Sequence, residues 1–277
     1  MFRTRLHLEY SELLETPGVC HGFSTRSGGV STLPHTASMN VARGHGDPDE
    51  TVRENIGILA RTLSGGRWDE GRVVYAHQIH SARIRRVGEA DRGCGVTLPA
   101  GEDGDGFVTD TPGILLMVSV ADCTPILFSA ARRPGGAAEI VCAIHAGWRG
   151  TVAGIAPRAI RCMLDMGAEL STVRCAVGPS IGPCCYEVKA DFCDAVAAAR
   201  GQAFADAHIR KRDGKLFADV AGMNVSLLLE AGLTPAQIDR SPACTACEPN
   251  RFHSHRASGG KRGAMGALIG LFPRQER

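Results

Sequence analysis

The chain has no apolar run long enough to cross a bilayer: the longest, Ile114 to Val120 with its flanks, falls short of the ~20 residues a spanning helix needs. It also lacks any block of Lys or Arg, and aromatic residues make up only 5% of its 277 positions. With a net charge of +2, these absences argue against a nucleic-acid surface, where basic stripes interleave with stacking rings. Nothing repeats along the chain, which sets solenoids and propellers aside. The N-terminus, MFRTRLHLEYSELLE, carries acids early and has neither an apolar core nor a small-residue cleavage site, so it does not read as a signal peptide. Eleven cysteines, an odd number without such a signal, speak against a disulfide scaffold and for the cytosol. Cys142, Cys162 and Cys175 sit in apolar stretches and read as buried thiols.

What is present is an ordinary globular balance, 44% hydrophobic and 22% charged, in a chain long enough to bury a substantial core. DPDETVRENIGILARTL has an Asp-Pro start, acids in its first turn and apolar Val52, Ile56, Leu59 and Leu63 at helical spacing, which predicts an amphipathic helix. TVAGIAPRAIRCMLDMG is expected to be one helix with Pro157 in its first turns, and KADFCDAVAAARGQAF and FADVAGMNVSLLLEAG to be helical. Residues 72–87 are strand-like, and GEADRGCGVTLPAGEDGDG is a glycine-rich loop. GFVTDTPGILLMVSVADC reads as a hairpin or a turn followed by a buried strand. AEIVCAIH and the chain end add further strands, and STVRCAVGPSIGPCCYEV reads as strand, loop and short strand. Strands and helices mix without strict βαβ alternation and no linker interrupts them. The expected class is therefore α/β in the mixed α+β sense: one compact domain with mixed sheets flanked by helices.

Three of these apolar segments end on a histidine or a cysteine: VVYAHQIH on His80, GILLMVSVADC on Cys123 and EIVCAIH on His145. Two imidazoles and a thiolate brought together would form a three-ligand shell for Zn²⁺, with a fourth position left for water or substrate as in catalytic zinc sites. His77 competes with His80, but three residues apart on a strand the two face opposite ways. Beside His145, HAGWRGTVAGI combines Arg149 with Gly147, Gly150 and a helix start, which reads equally as an anion cradle or as a tight turn with a surface arginine. STRSGG offers Arg26 and two glycines for a similar contact. Asp122, next to Cys123, either orients a ligand histidine or caps the following turn. CTACEPNRFHSH raises a second-zinc reading for Cys244, Cys247, His253 and His255, although structural zinc signatures have longer intervals between ligand pairs, while the adjacent Cys184 and Cys185 are not expected to chelate together.

In order and approximate spacing, FSTRSGGVS, SMN…GDPDETVREN, HQIH, DGFVT, ADCTPIL, HAGWRG, GPSIGPCCYEV and CT…FHSHR resemble the signature blocks of the laccase-domain (YfiH-like) family, known as polyphenol oxidase, peptidoglycan-editing and purine nucleoside phosphorylase proteins. The resemblance spans nearly the whole of residues 1–277. It implies a compact fold compared with Cys–His hydrolases and zinc on His80, Cys123 and His145, which with Arg149 form the catalytic set. It also implies substrate contacts at Arg26, Asn40, Asp122 and Gly150, and phosphorolysis or deamination of purine nucleosides, including methylthioadenosine. The implied partners are purine nucleosides and inorganic phosphate. Three positions depart from the pattern: Ser81 replaces a glycine, His255 a tyrosine and Ala257 an arginine. They affect pocket shape and leave the ligand set intact.

Other functions predict different features. A multicopper oxidase needs many histidines, commonly in His-x-His pairs; the chain has ten, and only His253 and His255 form such a pair. Copper is thus the weaker cofactor reading. A metal-free hydrolase would use Cys123 as nucleophile and His145 as base. A peptidoglycan-precursor editing or binding module would need a fourth protein ligand to close the zinc site, and none is evident.

Overall fold

The computed structural model describes residues 1–273. Two six-stranded sheets and a small three-stranded one carry the chain. The first sheet contains β1 (Phe2–Arg5), β2 (Leu8–Ser11), β3 (Val19–Ser24), β4 (Val73–Val74), β7 (Leu115–Val120) and β15 (Met265–Leu271). The second contains β5 (Ile84–Arg86), β6 (Gly106–Thr109), β8 (Thr124–Ala130), β9 (Ile140–Ala146), β10 (Arg174–Val177) and β14 (Ile238–Arg240). Spatial order is β1-β2-β3-β15-β7-β4 in one and β14-β10-β8-β9-β6-β5 in the other. Both are mixed: their central pairings are antiparallel, while β4 joins β7, β5 joins β6 and β14 joins β10 in parallel.

Alternation along the strands builds four layers. In β7, Leu116 and Val118 face the second sheet together with Ala267 and Ile269 of β15. Leu115 and Met117 point the other way, against Val52, Ile56 and Leu59 of α1 (Asp49–Ser64). In β9, Val141 and Ala143 join the layer between the sheets. Ile140, Cys142 and Ile144 instead pack on Ile155, Ala159 and Met163 of α3 (Ile155–Asp165). Each strand is buried on both faces, so its sequence is a nearly continuous apolar run. This is a mixed α+β fold in which helices cover the outer faces of two packed sheets.

Several elements differ from expectation in instructive ways. The helix predicted after HAGWRG is two, α2 (Trp148–Val152) and α3, broken at Gly154, whose φ of 82° lies in the left-handed region. Pro157 then falls in the first turn of α3, where its missing N–H costs nothing. The strand-like stretch 72–87 forms only β4 and β5, with an irregular crossing between them. β6 and β7 are not a hairpin, because they belong to different sheets. The helix expected from KADFC divides at Gly201 into α4 (Ala190–Arg200) and α5 (Gln202–His208). The hairpin of β12 (Ile209–Arg212) and β13 (Lys215–Ala218), which with β11 (Glu187–Val188) makes the small sheet, was not expected. α6 (Val220–Glu230) matches its predicted segment. No described helix is long and apolar enough to cross a membrane.

Candidate metal centre

The three sequence-predicted ligands meet at the rim where the two sheets adjoin. Cys123 lies in the bend that carries the chain from β7 in one sheet to β8 in the other. His145 sits near the end of β9, in register with Pro125, and shares the inward parity of Val141 and Ala143. His80 belongs to the crossing between β4 and β5 and takes φ 59°, a left-handed conformation that β-carbon-bearing residues seldom adopt. The ligand atoms of all three lie within 4.8 Å of one another, with Cys123 Sγ 3.9 Å from His80 Nε2. His77 does not join them; its ring is largely exposed and lies 3.4 Å from Asp103.

The His80 segment is anchored at both ends. Gln78 accepts from the Ser119 amide at 2.7 Å and donates to the Ser119 carbonyl at 2.8 Å, extending the β4–β7 pairing through a side chain. At the other end the Asp105 carboxylate, wholly buried just before β6, accepts from the amides of Ile79, His80 and Ser81 and from the Ser81 hydroxyl. The same carboxylate lies 2.8 Å from His145 Nδ1. Burial alone would raise its pKa, but the hydrogen bonds from His145 and Ser81 outweigh that and bring it down to about 2. An ionised carboxylate only accepts, so His145 carries its proton on Nδ1 and turns Nε2 toward Cys123 and His80. The sequence does not single out Asp105, and it is Asp105, not Asp122, that orients His145. DGFVT marked the place without showing that its aspartate points back at two of the candidate ligands.

Charge within the trio is self-supporting. Burial opposes the Cys123 thiolate, yet the charge and hydrogen bond of His145, then the contacts of His80, lower its pKa to about 6. His145 responds in kind: burial lowers it, and the Cys123 thiolate and the Asp105 hydrogen bond raise it to about 9. Close packing explains Gly147, since a Cβ there would stand 2.8 Å from His80 Cδ2 and 3.3 Å from Cys123 Sγ. Gly150 likewise lets α2 lie against the Ser81 carbonyl, 2.6 Å from where its Cβ would be.

Two cavities open on either side of His80 and Cys123. One, of about 370 Å³, is lined by Arg43, His45, Tyr75, Gln78 and His145 among others. The other, of about 320 Å³, has Trp148, Arg149, Tyr186, His255 and Arg256 on its walls. Arg262 borders both; its buried Nε has no hydrogen-bond partner. Arg149 is exposed and stacks on Trp148 at 4.3 Å.

The remaining candidates lie at or behind these walls. Asp122, at φ 90°, accepts from the Thr245 hydroxyl and the Arg256 amide and so fixes the wall beside Cys123. Asn40 is fully buried, bonded to Ala42, Asp47 and Ala264 behind the first cavity. Arg26 donates to the carbonyls of Ala37, Pro249 and Pro34 and borders a separate surface hollow. The weak CTACEPNRFHSH grouping is redrawn: His253 is buried against the Met39 carbonyl and His255 faces the second cavity, while Cys244 and Cys247 meet Cys184 and Cys185. Strand-and-loop spacing gave no sign of that second meeting, because it joins segments some sixty residues apart.

Residues 20–272 match the family model described as multi-copper polyphenol oxidoreductase laccase. The chain is 35% identical over 266 residues to a purine nucleoside phosphorylase of Deinococcus radiodurans, covering 95% of this chain and 94% of that one. It is 36% identical over 258 residues to purine nucleoside phosphorylase YlmD of Geobacillus stearothermophilus, covering 91% and 90%. Among solved structures, the YfiH protein of Bacillus licheniformis superposes with a TM-score of 0.88 at 33% identity, covering 98% of both chains. The four-layer fold, the residues spaced along it and these likenesses agree: the chain belongs to the multi-copper polyphenol oxidoreductase laccase family, with the YfiH- and YlmD-like proteins.

Proposed function

We propose that the protein is a zinc-dependent purine nucleoside phosphorylase of the cytosol whose one site also serves adenosine deamination and methylthioadenosine phosphorolysis. The observation that carries this reading is the convergence of His80, Cys123 and His145 beside two cavities walled by arginine and aromatic side chains. The names of the relatives supply the substrate class. Two nitrogens and one thiolate suit zinc, and the missing Cβ at Gly147 keeps clear the space the three donors face. Copper has less support: among the described residues the only other His/Cys/Asp/Glu grouping of this kind is all cysteine, with no histidine cluster for a trinuclear centre. When bound, zinc supplies a Lewis acid that polarises substrate or acidifies water.

The chain's own groups do the rest. Asp105 holds His145 in one tautomer and fixes the His80 loop. Arg149 and Arg262 present cationic donors for phosphate, Arg262 with a buried N–H still to satisfy. Trp148 and Tyr186 put aromatic surface on the wall of the second cavity, suited to a purine. Eleven unpaired cysteines fit a reducing compartment.

The test is a panel of nucleosides with and without phosphate, read by chromatography of bases, inosine and sugar phosphates. Base release should require phosphate and yield the sugar 1-phosphate, while deamination should not require it. Base release without phosphate would contradict the reading. Arg149→Ala should weaken apparent phosphate affinity ~10–100-fold, the worth of a charge-assisted hydrogen bond, and nucleoside affinity much less; equal losses would assign Arg149 a folding role. A second reading, a metal-free Cys–His hydrolase, draws on the mutual stabilisation of the Cys123 thiolate and the His145 imidazolium.

A further inference from the structure

Away from the His80 centre, two turns each deliver a pair of cysteines to one place. The first turn closes with the amides of Cys185 and Tyr186 on the Gly182 carbonyl. The second, Cys-x-x-Cys in sequence, closes with the Cys247 and Glu248 amides on the Cys244 carbonyl. A bridge between Ser180 and Cys244 sets them side by side. The four sulfurs all lie within 4.8 Å of one another, with Cys247 Sγ 3.5 Å from Cys184 Sγ and 3.3 Å from Cys185 Sγ. None is in a disulfide. Tetrahedral zinc with Zn–S bonds of ~2.3 Å separates its sulfurs by about 3.8 Å, inside that spread. The Gly182 amide donates to Cys244 Sγ at 3.2 Å, a contact that favours thiolate over thiol. Gly182 itself has no room for a side chain to spare, since a Cβ would stand 3.2 Å from Cys184 Sγ.

We propose that Cys184, Cys185, Cys244 and Cys247 form a second, closed metal site, a tetrathiolate that takes zinc and is structural. It shares no residue with the first site and does not depend on the activity proposed for it. Its position gives it a task. The first turn runs straight into Tyr186, on the wall of the second cavity. Within the second turn, Thr245 holds Asp122, the neighbour of Cys123, and the Ile181 amide donates to the Asp122 carbonyl. Four zinc–sulfur bonds would therefore staple together the two segments that wall the catalytic cavity.

The experiment is metal analysis of the full chain purified under reducing conditions, with Co²⁺ as a spectroscopic replacement. Wild type should hold two zinc ions, and His80→Ala one. Metal-free His80→Ala titrated with Co²⁺ should develop the intense near-ultraviolet sulfur-to-cobalt band and visible bands of tetrahedral tetrathiolate coordination, saturating at one equivalent. Cys247→Ser in the same background should lose that spectrum. If this variant does not fold, the titration of the His80→Ala protein alone decides. A His80→Ala protein that binds no Co²⁺ through sulfur, or whose Cys247 is found disulfide-linked to Cys184 or Cys185 in the freshly reduced-and-purified chain, would overturn the proposal.

Discussion

Asp105 ties the site together: one buried carboxylate accepts from three loop amides, a hydroxyl and the His145 ring. Asp105→Asn keeps the size but replaces acceptor positions with an amide donor that faces N–H groups. Zinc affinity should fall ~10–100-fold, as for other lost partners of metal-bound histidines, measured by competition with a chelating dye. The same carboxylate predicts an acid limit. Its folded pKa, about 2, is below the ordinary carboxylate value, so its stabilisation is complete above ~pH 5 and is lost as pH falls through about 2. Acid-unfolding curves of wild type and Asp105→Asn should therefore converge toward pH 2; parallel curves would contradict this. Cys123 carries the next prediction. In metal-free protein its alkylation by iodoacetamide should rise through about pH 6, well below an ordinary thiol, since the thiolate is the reactive form. In His145→Ala the rise should move to higher pH, because burial is then opposed by His80 alone; an unchanged midpoint would mean that the two side chains are not paired.

Elements place these residues, and legibility in the sequence varied with what each element is. The apolar runs of β7 and β9 were plain because strands buried on both faces leave an unbroken hydrophobic signature, and Cys123 and His145 come directly off them. His80 was found by resemblance and by its apolar lead-in, although the strand there is only Val73–Val74 and a side chain, Gln78, continues the pairing. A side chain imitating a strand leaves no periodic trace. Asp105 and Arg262 were missed for a related reason: both sit in glycine-flanked loops whose partners are distant in sequence. The break between α2 and α3 was hidden by continuous helical spacing and revealed only by the left-handed Gly154. The turn into α2 gives a sharp test at this scale. Gly147 has an ordinary φ of −65°, so Ala is tolerated by the backbone, but its Cβ would enter the space between His80 and Cys123. Gly147→Ala should lower zinc occupancy severalfold while the far-ultraviolet spectrum stays unchanged; full occupancy would mean that the three donors do not converge there as closely as described.

At the scale of the whole molecule, two sheets packed face to face bring strand ends from both to one rim, and the β7–β8 crossover delivers Cys123 onto that rim. The mixed α+β class, and the three side chains that meet at the rim, were legible because both rest on local apolar patterning and on family words. Sheet membership was not: β6 and β7 are adjacent in the chain yet lie in different sheets, and only long-range pairing decides that. In the function proposed above, phosphorolysis and deamination both depend on one zinc held by His80, Cys123 and His145. The most direct measurement is zinc content and both activities in His80→Ala, Cys123→Ser and His145→Ala, purified in parallel with wild type. Each variant should lose that zinc, and the two activities should fall together, by at least ~100-fold, as expected when a shared Lewis acid is removed. A His80→Ala protein that lacks the zinc and keeps its activity would contradict that function and leave Cys123 and His145 as a nucleophile and its base.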